Sequence, residues 1–144
     1  GTHMVDIINF LAGGRARLQR RFGKMRSRVS SAYLFGAVSG RPVVIEVGSE
    51  RDHLVFELEL SFERGRVRVG NGVLAFEESA ESPYYEGYRS LRPAETPRVE
   101  RTGYFANMIA DAVQCANDPS HEPISSALDG LSVMRFIRSV RGRL

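Results

Sequence analysis

Residues 53–76 read HLVFELELSFERGRVRVGNGVLAF. Leu54, Phe56, Leu58, Leu60 and Phe62 alternate with Val55, Glu57, Glu59 and Ser61. That period of two puts every second side chain on one face of a strand. Glu63-Arg64-Gly65 signals a tight turn, and RVRVG at 66–70 alternates again. Asn71-Gly72 supplies two residues that tolerate positive φ, as a two-residue hairpin requires. VLAFEE at 73–78 reads as the return strand. Together with the apolar run PVVIEV at 42–47, the pattern predicts an antiparallel meander over residues 42–78.

Working outward, RARLQRRFGKMRSRVSSAYLF at 15–35 alternates only in part, through Ala16, Leu18 and Phe22. It predicts one or two strands, with Gly23 as a bulge or turn. Residues 79–98, rich in Pro, Ser, Glu and Tyr, read as a long loop of the kind that carries function or wraps a surface. Val5, Ile8 and Leu11 predict a short helix over residues 5–11, stopped by Gly13-Gly14, since glycine adopts the left-handed C-terminal turn freely. Residues 99–118 predict a helix with Phe105, Met108, Ile109, Ala112, Val113 and Ala116 on one stripe, ended by Asp118-Pro119. A last helix opens at Ser125-Ser126, with Asp129 completing a near capping box. Its stripe is Leu128, Leu131, Met134, Ile137 and Val140, flanked by Val133 and Phe136. The order predicts an α+β domain: a large open, mainly antiparallel β-sheet with helices packed on one face. The opposite face, neither covered nor fully polar, predicts a homodimer or higher homo-oligomer formed through the sheet.

At 144 residues the chain is long enough for one domain with a proper core. No apolar run approaches the ~18 residues that a membrane span needs. Cys115 is the only cysteine, which fits a reducing cytoplasm and reads as a small packed side chain. The net charge is only +3, yet Arg15, Arg17, Arg20, Arg21, Lys24, Arg26 and Arg28 cluster without an acidic residue among them. A phosphate-binding surface is one reading. Alternation with apolar residues and the lack of RNA-binding aromatics favour an edge strand whose charges discourage aggregation, so no nucleic-acid partner is expected.

Few residues qualify for chemistry. Tyr84, Tyr85 and Tyr88 present aromatic faces with hydrogen-bonding tips, either to a polyol or to pin the loop onto the sheet or a subunit interface. His53 and His121 have no partner at metal-ligand spacing and read as solvated, so no metal site is expected. Asp6 reads as helix support.

GTHMVDIINFLAG at 1–13 resembles the Gly-x-His-x-x-Asp-x-x-x-x-Leu stretch that opens the C-terminal part of the glucose–fructose oxidoreductase/inositol dehydrogenase (Gfo/Idh/MocA) family. FELELSFERGRVRVGNGVLAF at 56–76 resembles that family's strand, turn and paired strands. GYFANMIADAVQCANDPSHEPISSALDGLSVMRFIRSV at 103–140 resembles its two closing helices. The resemblance implies a substrate-binding and oligomerisation domain that works with a dinucleotide-binding Rossmann domain. The implied reaction is hydride transfer between NAD or NADP and a sugar, inositol or related alcohol. His3 would exchange the hydroxyl proton as the catalytic residue, and Tyr84 and Tyr85 would line the substrate pocket. Residues 1–4 fit either this motif or a cloning scar, with residues 5–144 forming the domain in both cases. The departures are large. The chain has no Gly-x-Gly-x-x-Gly after a strand. Lys24, the only lysine, sits outside a Glu-Lys-Pro context, and the Asp that commonly stands four residues before the catalytic His would precede residue 1. No cofactor is expected to bind this chain alone, and no turnover is expected without the Rossmann domain. A stand-alone oligomeric scaffold on the same fold is the alternative.

Overall fold

A computed structural model of the chain describes residues 2–25, 30–49, 51–98 and 104–142. Among these residues it is an α+β structure with seven strands, all antiparallel, in two open sheets, and three helices. The chain divides into two compact units, Gly1–Arg51 with Gly103–Leu144, and Asp52–Thr102.

In the first unit, α1 (Thr2–Ala12) leads into a sheet ordered β1 (Arg17–Met25), β2 (Ser30–Val38), β3 (Arg41–Gly48). The expected glycine stop is present. Gly13 has φ +62, its N–H donates to Phe10 C=O, and Gly14 N–H donates to Asn9 C=O, the paired bonds of a Schellman motif. Asn9 then ties the helix down: its Oδ1 accepts from Ala16 N–H at 2.7 Å and its Nδ2 donates to Ser132 Oγ at 3.4 Å. The β1–β2 register shifts between Leu18 and Arg20, so the irregularity lies there and not at Gly23. β1 is an edge strand, as its arginines suggest. Arg21 Nη1 donates to Val140 C=O at 2.6 Å, and Arg26 and Arg28 lie outside the described residues.

The core of this unit joins Val5, Leu18, Ala32 and Leu34 to Val133, Phe136 and Val140 of α3 (Ala127–Arg141). The capping box forms as the sequence indicates: Asp129 N–H donates to Ser126 Oγ and Ser126 N–H to Asp129 Oδ2. Satisfying these otherwise orphaned donors contributes about 1 kcal/mol. The expected inner stripe, however, is rotated. Leu128, Leu131 and Met134 are exposed, while the flanking Val133 and Phe136 are buried. The 14-residue α2 (Tyr104–Asn117) likewise exposes Phe105, Met108, Ile109 and Val113. α1 and α3 pack onto the β1–β2 layer, whereas the sequence had three helices sharing that task.

The second unit is a sheet ordered β4 (Glu57–Phe62), β5 (Gly65–Gly70), β6 (Val73–Glu81), β7 (Arg89–Pro93). The meander is therefore divided, with β3 in one sheet and β4–β6 in the other. The long strand over 53–62 is also shorter than its alternation implies. Asn71 Nδ2 donates to Leu54 C=O at 3.1 Å and its Oδ1 accepts from Phe56 N–H at 3.0 Å. Those bonds occupy backbone groups that a continuing ladder needs. The Asn71-Gly72 turn itself is as expected, with φ +48 and +80. Residues 79–98 are not one loop. β6 runs on to Glu81, and β7 returns opposite it, with Glu81 facing Arg89 and Glu78 facing Arg92.

Candidate functional site

His3 is exposed in the first turn of α1. The helix beneath it is held by buried Val5 and Ile8 and by the Asn9 bonds. Asp6, one turn on, lines a groove of about 500 Å³ with Asn9, Phe10, Arg15, Ile124 and Asp129.

Tyr84, Tyr85 and Tyr88 lie in the β6–β7 connection of the other unit. Ser82 organises this turn. Its Oγ accepts from the N–H groups of Tyr84 and Tyr85, both at 3.2 Å, and its own N–H donates to Tyr88 C=O at 2.9 Å. Gly87, at φ +77, closes the bend. The rings of Tyr85 and Tyr88 meet edge to face at 6.5 Å. The three tyrosines are nonetheless 70–81% exposed, so the loop is pinned by Ser82 and not by its rings. With Ser82, Arg89 and Ser90 they frame a shallow groove of about 590 Å³. Tyr84 and Tyr85 thus stand together, while His3 belongs to the first unit.

The sheet beside this turn has two unlike faces. One carries a charge ladder: Arg66 Nε donates to Glu77 Oε2 at 2.5 Å, and Arg66 and Arg68 each approach Glu59 at 3.7 Å. The Arg66 hydrogen bond holds the Glu77 carboxyl below its ordinary range. The opposite face, from the pairings Leu58–Val69, Leu60–Val67, Val67–Phe76 and Val69–Leu74, is apolar.

The third grouping is one that linear spacing conceals. Asp111 and Cys115 sit one turn apart on α2, and the chain reverses beyond it. Asp118 Oδ1 accepts from Ser120 N–H at 2.9 Å and from its hydroxyl at 2.6 Å, and His121 N–H donates to Asp118 C=O. His121 Nε2 thereby reaches Asp111 Oδ1 at 2.8 Å, while Asp111 Oδ2 accepts from Ile124 N–H at 3.2 Å. His121 is therefore half-buried and paired rather than solvated, and Cys115 has a histidine and a carboxylate within ligand reach. His53, by contrast, is exposed beside Asp52, as expected.

The His121 hydrogen bond, then the Ile124 amide, hold the Asp111 carboxyl below its ordinary range. A depressed carboxyl contributes stability that is fully present above its unfolded value and lost as pH falls through the folded one. Thermal melts of the wild type are expected to drop steeply below about pH 4. Asp111→Asn should show a shallower drop, part of it persisting through Glu77, Asp118 and Asp129, which are lowered too. Parallel pH profiles for both proteins would contradict this assignment.

A Rossmann-type dinucleotide site places a glycine-rich turn between a strand and a helix N-terminus. Gly13-Gly14 follows a helix, and Gly70-Asn71-Gly72 joins two strands. Neither turn runs from a strand into a helix, the placement of the Rossmann fingerprint. No described helix is long and apolar enough to cross a membrane. No family model, curated protein or solved structure matches the chain.

Proposed function

We infer that the chain is the substrate-binding and oligomerisation domain of a cytoplasmic NAD(P)-dependent oxidoreductase acting on a sugar, inositol or related alcohol. A separate Rossmann domain supplies the cofactor site. The order of the three resembling segments supports this reading, with His3 presented at the start of a well-anchored helix and Tyr84 and Tyr85 displayed as a pair of rings with polar tips. Tyrosine of this kind suits a polyol, since the ring covers C–H surface while the hydroxyl exchanges hydrogen bonds.

The observation that carries the oligomer is the two-faced β1–β3 sheet. Its inner face closes on α1 and α3. Its outer face bears Phe22, Tyr33, Phe35 and Val44 on adjacent strands, all exposed, with Phe22 and Phe35 edge to face at 5.7 Å. Arg20 faces Phe35 and Glu46 faces Tyr33 on the same side, so the patch mixes exposed aromatics with charge, and exposed apolar surface of this size supports an interface.

Sedimentation of the full chain is expected to show a dimer or larger species, and Tyr33→Asp with Phe35→Asp to give a folded monomer. NMR titration with a panel of sugars and inositols is expected to move the Tyr84 and Tyr85 signals. A monomeric wild type that responds to none of these ligands would remove the reading.

A further inference from the structure

We propose that Asp111, Cys115 and His121 form a binding site for one divalent cation of the zinc class, which staples the α2–α3 connection to the C-terminal turns of α2. The site is independent of the sugar-binding reading. A carboxylate oxygen, the thiol sulfur and an imidazole nitrogen all lie within 4.8 Å of one another, and all three residues are half-buried.

The donor set chooses the metal. Magnesium and calcium take oxygen ligands, whereas a thiolate and an imidazole with one carboxylate suit a borderline-soft ion. Zinc bonds of about 2.0–2.3 Å require the three donor atoms to draw in, which side-chain rotation supplies. The charges balance. The ion carries two positive charges, Asp111 is ionised, and Cys115 loses its thiol proton to solvent on binding, so the ion and its ligands sum to zero. Because an ionised carboxylate only accepts, Nε2 of His121 carries the proton in the metal-free pair. On binding, Nε2 gives up that proton and takes the metal in place of its bond to Asp111. Asp111 Oδ2 keeps the Ile124 amide, the outer support that orients a ligating carboxylate. Three protein ligands leave one tetrahedral position for water.

The pre-organisation is local. The Asp118 turn already carries His121 back over α2, so the ion closes a small loop that is half formed without it. Metal binding to such a site adds to folding stability, because the unfolded chain does not hold the ligands together.

The test is titration of the full reduced chain with zinc alone, and with cobalt as an optical probe. One ion per chain and a thiolate-to-cobalt charge-transfer band are expected. Cys115→Ser and His121→Gln should each weaken binding at least about tenfold, the smallest loss seen even for outer partners of metal ligands. His53→Ala should bind as the wild type does. Zinc should raise the melting temperature of the wild type but not of Cys115→Ser. The cobalt band reads thiolate coordination in the wild type, so the test survives a variant that fails to fold. Absence of saturable uptake, or uptake without the band, overturns the proposal.

Discussion

Phe136→Ala is expected to destabilise the first unit by about 3–5 kcal/mol, the range for emptying a large aromatic site in a packed core. Phe136 is 5% exposed and packs with Val133 and Val140 against Val5, Leu18, Ala32 and Leu34. The side chain lies where α3, α1 and the sheet meet, so a collapsed cavity would have to move two elements that are each fixed by other bonds. Asn9 ties α1 to Ser132, and Arg21 holds the C-terminal carbonyl at Val140. The melting temperature is expected to fall on the order of 15 °C. Met134→Ala is the matched control. Met134 is 58% exposed, and truncation there should stay within about 0.5 kcal/mol. Sequence periodicity alone ranks these two residues the other way, with Met134 on the inner stripe and Phe136 on its flank. Equal losses in urea denaturation, or a larger loss for Met134→Ala, would place α3 with the wrong face inward.

That reversal shows where sequence reading stops. α3 has apolar residues on more than half its circumference, so periodicity bounds the stripe but does not choose which part meets the sheet. The choice belongs to the partner surface, where Leu18, Ala32 and Leu34 offer a narrow strip that Val133, Phe136 and Val140 match at spacings of three, four and seven. Signals carried by one or two residues within a single turn were legible. Gly13 in its left-handed turn, Asn71-Gly72 in its hairpin and Ser126 with Asp129 in their capping box each follow from local chemistry. Ser39-Gly40, with φ +48 and +78 between β2 and β3, was open to the same reasoning. The division of the sheets was not. The apolar alternation continues through Leu54 and Phe56, and only the Asn71 side chain, fifteen residues further on, diverts the backbone there. β7 was hidden by Pro and Tyr in its neighbourhood, although the facing charges of Glu78 with Arg92 and Glu81 with Arg89 are a signal of pairing. The Asp111, Cys115 and His121 grouping spans one helical turn and a reversal, a distance that no fixed ligand spacing describes.

Gly23→Ala is expected to cost about 2–6 kcal/mol, the sum of about 1–3 for a strained backbone and about 1–3 for overpacking. Gly23 lies within β1, opposite Ala32, at φ +95. A Cβ there would stand 2.2 Å from the Ser31 carbonyl oxygen and 2.8 Å from the Ala32 Cα. Both are backbone atoms of the paired strand, so no side chain can rotate away and relief requires β1 to leave β2. The loss spreads because β1 also delivers Leu18 to the core and Arg21 to the end of α3. Gly40→Ala separates the two causes. Gly40 also has positive φ, at +78, but a Cβ there meets nothing within 4 Å. Only the conformational cost of about 1–2 kcal/mol applies. Urea midpoints should therefore rank the wild type above Gly40→Ala and Gly40→Ala well above Gly23→Ala. Amide exchange should accelerate along β1 and β2 in Gly23→Ala and stay confined to the β2–β3 turn in Gly40→Ala. If both variants lost the same stability, the close approach of Gly23 to Ser31 would not be what fixes this residue as glycine.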